Sequence, residues 1–113
     1  MIYKTKKTIL LDLDGVLNNY TGNYNEDFIP QMKTGAYQFL ENISKNYNIK
    51  IFTSRNLLQV SEWLIENNLR QFINDVTNVK EPSYLIIDDR CINFSGDYVE
   101  LKEKIENFKV WYK

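Results

Sequence analysis

The sequence predicts an α/β fold, a three-layer α/β/α sandwich whose central parallel sheet has about five strands. Three observations predict it. Short apolar runs end abruptly in polar or acidic residues, amphipathic helical segments separate those runs, and 113 residues leave room for one domain, residues 1–113. Parallel strands need crossover connections, and right-handed crossovers place helices on both faces of the sheet.

Taken in order, Thr8-Ile9-Leu10-Leu11 reads as a buried strand that runs into Asp12 and the turn at Asp14-Gly15. Residues 18–30, rich in Asn, Gly and Tyr, follow neither hydrophobic period and read as a loop or short flap. Ala36, Phe39, Leu40 and Ile43 share one face of a helix expected from about Thr34 to about Asn46. Ile49 to Phe52 is a second strand, and Val60, Trp63 and Leu64 mark a helix running to Asn67-Asn68. A weaker strand is expected over Phe72 to Val76, a strong buried one over Tyr84 to Ile87, and an edge strand over Ile92 to Phe94. Asp97 and Glu100 have the spacing of a capping box before a last helix carrying Tyr98, Leu101, Ile105 and Phe108.

Composition narrows the chemistry. The chain has no histidine, which removes histidine triads and the commonest transition-metal ligand, and its single cysteine, Cys91, allows no internal disulfide. A net charge of -1 gives no overall field toward nucleic acid or anionic membrane, and Lys4, Lys6 and Lys7 read as a solvated lead-in to the first strand. Asp12 interrupts the first apolar run, so it is not a signal sequence, and no stretch reaches the roughly 20 apolar residues of a membrane span. A reducing cytoplasm is the expected location.

In open α/β sheets, ligands bind beyond the carboxyl ends of the strands. The first strand delivers Asp12 and Asp14, the second Thr53, Ser54 and Arg55, and the fourth Asp88, Asp89 and Arg90, with Lys80 shortly before it. Four converging carboxylates repel one another unless a cation or a shared proton relieves them, and oxygen-only ligands suit Mg²⁺. A spacing of two within a strand puts the side chains of Asp12 and Asp14 on one face.

Asp12-Leu13-Asp14-Gly15-Val16, Thr53 after an apolar strand, Lys80, and Asp88-Asp89 together resemble the four motifs of the haloacid dehalogenase superfamily, in order and over nearly the whole chain. Lys80-Glu81-Pro82 departs from the family's Lys-Pro pattern by one inserted residue. The resemblance implies a Rossmann-like hydrolase that cleaves phosphate monoesters through an aspartyl-phosphate. It implies Asp12 as nucleophile, Asp14 as acid/base, and Thr53, Ser54 and Lys80 as phosphate-binding groups. It implies an Mg²⁺ site built on Asp12, the backbone carbonyl of Asp14, and Asp88 and Asp89, one of which touches the metal directly while the other supports it, the sequence leaving open which. An ordinary Asp titrates near about 3.9, so an acid at Asp14 needs a raised value, which neighbouring carboxylates favour and a metal opposes.

Ser54 also suits the N-cap of the helix beginning near Asn56, and Arg55 and Arg90 fit pairing with Asp88 or Asp89 as well as contact with substrate phosphate. Trp63, Phe108, Trp111 and Tyr112 read as packing residues, and Cys91 as an inert thiol. A receiver-like phosphoacceptor domain shares these residue types, but its motif order differs. A catalytically silent binding or regulatory module of the same fold is the other alternative. Cap domains of the family are inserted after the first motif or before the third. Residues 18–30 hold only a flap of about a dozen residues and residues 76–80 almost nothing, so neither insertion fits, and Ile86-Ile87-Asp88-Asp89-Arg90 followed by Asn93-Phe94-Ser95-Gly96-Asp97 resembles small capless members of bacterial and phage origin. The open site suits a phosphorylated small molecule or macromolecule end, or closure by a second subunit of a homo-oligomer. Nucleic acid is not indicated, and no membrane partner is expected.

Overall fold

The apolar run after Lys6 forms β1 (Lys7–Asp12), and Ile9, Leu10 and Leu11 in it are all buried, as a central strand requires. The computed structural model describes residues 5–113, so Lys4 of the basic cluster lies outside the described residues. Four strands, β1, β2 (Tyr47–Phe52), β3 (Asp75–Thr77) and β4 (Leu85–Ile87), form one parallel sheet in the order β3-β2-β1-β4. Helix α1 (Ala36–Ile43) connects β1 to β2, and α2 (Leu57–Glu66) with a 3₁₀ turn at Arg70–Phe72 connects β2 to β3. The chain then crosses back and adds β4 on the other side of β1. Strand order therefore reverses at β1, and the crevice beyond β1 and β4 is the switch point where α/β sheets take their ligands.

One face of the sheet carries the core. Leu11, Ile49 and Ile51 join Ala36 and Leu40 of α1 and Val60, Trp63 and Leu64 of α2 in a single buried cluster. Each buried Leu, Ile or Val side chain there contributes about 1.5–3 kcal/mol by leaving water. The opposite face is different: Leu10 is flanked in register by Lys50 and Ile86. There, Lys50 pairs with Glu81 at 2.7 Å and Ile86 is 37% exposed.

Several expectations change. The sheet has four described strands, because Ile92 to Phe94 is irregular and the Asn93 carbonyl accepts from Lys104 of α3 (Tyr98–Glu106). No residue of α3 is buried, so it does not build a packed third layer; its Glu and Lys residues pair along its own surface instead. The fourth strand starts at Leu85 and, as an edge strand, leaves Leu85 and Ile86 over a third exposed, while Ile87 packs against the core cluster. Phe72 falls in the 3₁₀ turn, and the third strand is correspondingly shorter and later. Helix α1 begins at Ala36, after Gly35 at φ 93 turns the chain in a conformation suited to glycine.

Asn56 caps α2 by accepting from the Gln59 amide, so Ser54 is not that cap. Asp97 caps α3 through the Val99 amide, while Glu100 bonds Ser95 and Lys104 rather than closing a capping box. Among the described residues, no helix is long and apolar enough to cross a membrane.

The asymmetry of the two faces is measurable by chemical denaturation. Leu64→Ala, inside the cluster, is expected to cost about 3 kcal/mol, whereas Ile86→Ala on the open face is expected to cost under about 1 kcal/mol. Equal costs would contradict a one-sided core.

Candidate active site

Pairing of Leu11 with Ile87 sets Asp12 and Asp88 side by side where β1 and β4 end. Asp89 follows Asp88, and one carboxylate oxygen from each of Asp12, Asp88 and Asp89 lies within 4.8 Å of the others. Close approach of Asp89 to the β1 turn depends on Gly15. That residue sits at φ +84, and a Cβ there would stand 2.1 Å from Asp89 Oδ2. Glycine is therefore required twice, for the turn and for the space. The Trp111 indole N–H donates to both the Gly15 carbonyl and Asp89 Oδ2, at 3.0 and 3.1 Å.

Crowding has an electrostatic consequence. Burial first, then the charges of Asp88, Asp14 and Asp89, push the Asp12 carboxyl from 3.8 up to about 7, against a hydrogen bond from the Leu13 backbone. Burial also raises Asp89, opposed by the Trp111 hydrogen bond. Three hard oxygen donors at this spacing, destabilised by one another, fit a divalent cation of the Mg²⁺ type, whose remaining positions are filled by water or substrate oxygens.

Beside this cluster is a cavity of about 240 Å³ lined by Asp12, Phe52, Thr53, Ser54, Asn78 and Asp88. Thr53 is buried, its amide bonded to the Thr77 carbonyl and its Oγ1 accepting from the Arg55 amide. Ser54 is exposed and also borders a neighbouring cleft of about 410 Å³ with Tyr24, Glu26, Asp27, Asn56 and Gln59.

Asp14 is outside the three-carboxylate grouping, although its charge still bears on Asp12. β1 ends at Asp12, so Asp14 lies in the turn rather than on the same strand face. Its Oδ2 accepts from Arg55 Nε at 2.8 Å and its Oδ1 from Asn18 Nδ2 at 3.0 Å. Asn18, fully buried, also accepts from the Gly15 and Tyr20 amides, tying the turn to the start of the flap.

Arg55 thus pairs with Asp14 and not with Asp88 or Asp89. Arg90 bonds the Tyr112 hydroxyl, and its backbone amide donates to Asp88 Oδ1. Lys80 is exposed and outside the cavity lining, and its neighbour Glu81 is held by Lys50. Cys91 is exposed, its thiol pushed up by partial burial and by the three clustered aspartates.

Sequence reasoning missed Asn18 and misassigned Trp111. The indole is half exposed and serves Asp89 rather than a packed core. An Asn four residues after the second Asp was a usable signal for the first. Nothing local signals a contact between Trp111 and Gly15, which spans 96 residues.

A raised Asp12 makes stability depend on pH. The native state holds its proton longer than the unfolded chain does, so stability is fullest below 3.8 and declines as pH climbs to about 7. In chelator-treated protein, the thermal midpoint is expected to fall across that window, and Asp12→Asn is expected to flatten the slope. Identical slopes for the two proteins would contradict the crowding described.

No protein-family model matches the chain, and no curated protein matches it. Among solved structures, one from Bacteroides thetaiotaomicron, described as a conserved protein coded by a locus of that organism, aligns with a TM-score of 0.62 and 19% identity. The alignment covers 96% of each chain. At that identity the likeness establishes shared fold alone, the parallel α/β architecture described above.

Proposed function

We propose that the chain is a Mg²⁺-dependent phosphohydrolase acting on phosphate monoesters in the manner of the haloacid dehalogenase superfamily, in a reducing cytoplasmic setting. The convergence of Asp12, Asp88 and Asp89 beside a cavity bordered by Thr53 carries this reading. Asp12, Asp88 and Asp89 would hold the cation, with the Asp14 backbone carbonyl as a further ligand. Bound there, Mg²⁺ neutralises carboxylate and phosphoryl charge that would otherwise repel.

In the proposed reaction an Asp12 carboxylate oxygen forms a bond to phosphorus in line with the ester oxygen, whose bond to phosphorus breaks. Asp14 supplies the proton to the departing oxygen. A water then attacks the aspartyl-phosphate, Asp14 takes its proton, the acyl phosphate bond breaks, and inorganic phosphate leaves with Asp12 restored. The Thr53 and Ser54 hydroxyls hold phosphoryl oxygens while charge spreads over them. Lys80, on a flexible stem, is assigned to the phosphate by the motif order and is tested separately by Lys80→Ala.

Hydrolysis of p-nitrophenyl phosphate and a panel of phosphorylated metabolites with Mg²⁺ tests the reading. Asp12→Asn and Asp14→Asn are each expected to lower kcat by at least about 10³-fold. A wild-type protein inactive on the whole panel would leave a silent binding module of this fold.

Substrate preference follows from the cleft next to Ser54. The flap contributes Glu26 and Asp27 and no lysine or arginine to it. Neutral leaving groups, such as sugars, are therefore expected to be released several-fold faster than leaving groups carrying additional phosphates, with the gap shrinking at high salt. Preference for end-phosphorylated oligonucleotides would overturn that expectation.

A further inference from the structure

The flap is fixed at two places. Its base is closed by an antiparallel bridge between Asn18 and Met32, and by bonds from the Asn19 amide to the Gln31 carbonyl and from the Lys33 amide to the Leu17 carbonyl. Ile29 packs against the core, and the tip beyond it is hydrogen-bonded by one side chain. Arg55 Nη1 donates to the Asn25 carbonyl at 2.8 Å, and its guanidinium lies 4.7 Å from the centre of the Tyr24 ring. Among the described residues, no other side chain of the sheet or helices hydrogen-bonds to residues 22–28.

The same guanidinium donates through Nε to Asp14 Oδ2, and its backbone amide donates to Thr53 Oγ1. Its side chain is 1% exposed, and Nη2 is buried with no hydrogen-bond partner among the described residues. Arginine alone offers several donors in one rigid plane, so one side chain reaches two acceptors on different segments in a fixed relation.

We propose that Arg55 is a positioning residue that latches the flap over the site and sets the Asp14 carboxylate with the same fork, so that flap closure and Asp14 placement are one event. The role given to Asp14 rests on the phosphohydrolase reading; the latch itself does not. Opening the flap removes a partner of Arg55, and loosening Arg55 frees both the flap and Asp14.

Hydrogen exchange by mass spectrometry, read alongside p-nitrophenyl phosphate kinetics, tests the latch on the full chain. Arg55→Lys keeps the charge and loses the fork. Amides of residues 20–30 are expected to exchange at least about tenfold faster in it, with β1 and α2 unchanged. Its kcat is expected to fall about 100-fold while the Mg²⁺ concentration for half-activation stays within about twofold, because Arg55 touches none of the three clustered carboxylates. Tyr24→Leu, at a half-exposed position, is expected to loosen the same amides by a smaller factor with no change in thermal midpoint, and it serves if the lysine variant does not fold. Unchanged flap exchange in the variants that fold, or loss of Mg²⁺ activation in step with kcat, would overturn the proposal. Wild-type protein that hydrolyses no ester would sink the phosphohydrolase reading, and the exchange data would still decide the latch.

Discussion

Mutual repulsion among Asp12, Asp88 and Asp89 is the constraint on which the other features of the site bear. Register fixes it: once Leu11 pairs with Ile87, the residues that follow each strand have no choice but to meet. The surrounding features hold the acids together at a cost in charge. Gly15 leaves room for Asp89, the Trp111 indole donates to it, and burial on the first strand raises Asp12 to about 7. A sequence selected for stability alone would place apolar groups there, because unpaired buried charge destabilises.

Central strands and their partner helices could be read from the chain because burial is visible as pattern. Ile9 to Leu11 and Ile49 to Ile51 are continuous or alternating apolar stretches, and Val60, Trp63 and Leu64 recur at helical spacing against them. The pattern misled where apolar residues are not covered. Tyr84 to Ile87 looks as buried as β1, yet its edge position leaves Tyr84, Leu85 and Ile86 open to water. Ile92 to Phe94 lacked a partner strand for the same reason. Hydrophobicity reports what a segment prefers; whether another element comes to cover it is a long-range matter.

At the site, types and order of residues were readable, and pairings were not. Asp12, Thr53, Asp88 and Asp89 stand at strand ends because strands end where apolar runs end. Asp14 was expected to share a face with Asp12, but β1 stops two residues short of it, at Asp12, and a turn swings Asp14 toward Arg55 and Asn18. Pairing of Arg55 with Asp88 or Asp89, one of its two expected roles, gives way to pairing with Asp14 because sequence does not show which way a long side chain leaves the loop after β2. Separating Asp14 from the three clustered acids divides the carboxylates into two environments, one suited to a cation and one held by an arginine and an amide. A cation bound at the cluster would favour the ionised form of Asp12 that the proposed nucleophile needs.

The proposed reaction passes through covalent phosphorylation of Asp12. Asp14→Asn should slow hydrolysis of the intermediate more than its formation when the leaving group is as good as p-nitrophenolate, so acid-quenched protein can be digested and its peptides mapped by mass spectrometry. Phosphate on the peptide containing Asp12, removed by hydroxylamine, is the expected result. Turnover by the wild-type protein with no label on Asp12 in the variant, or a label on another residue, would contradict it.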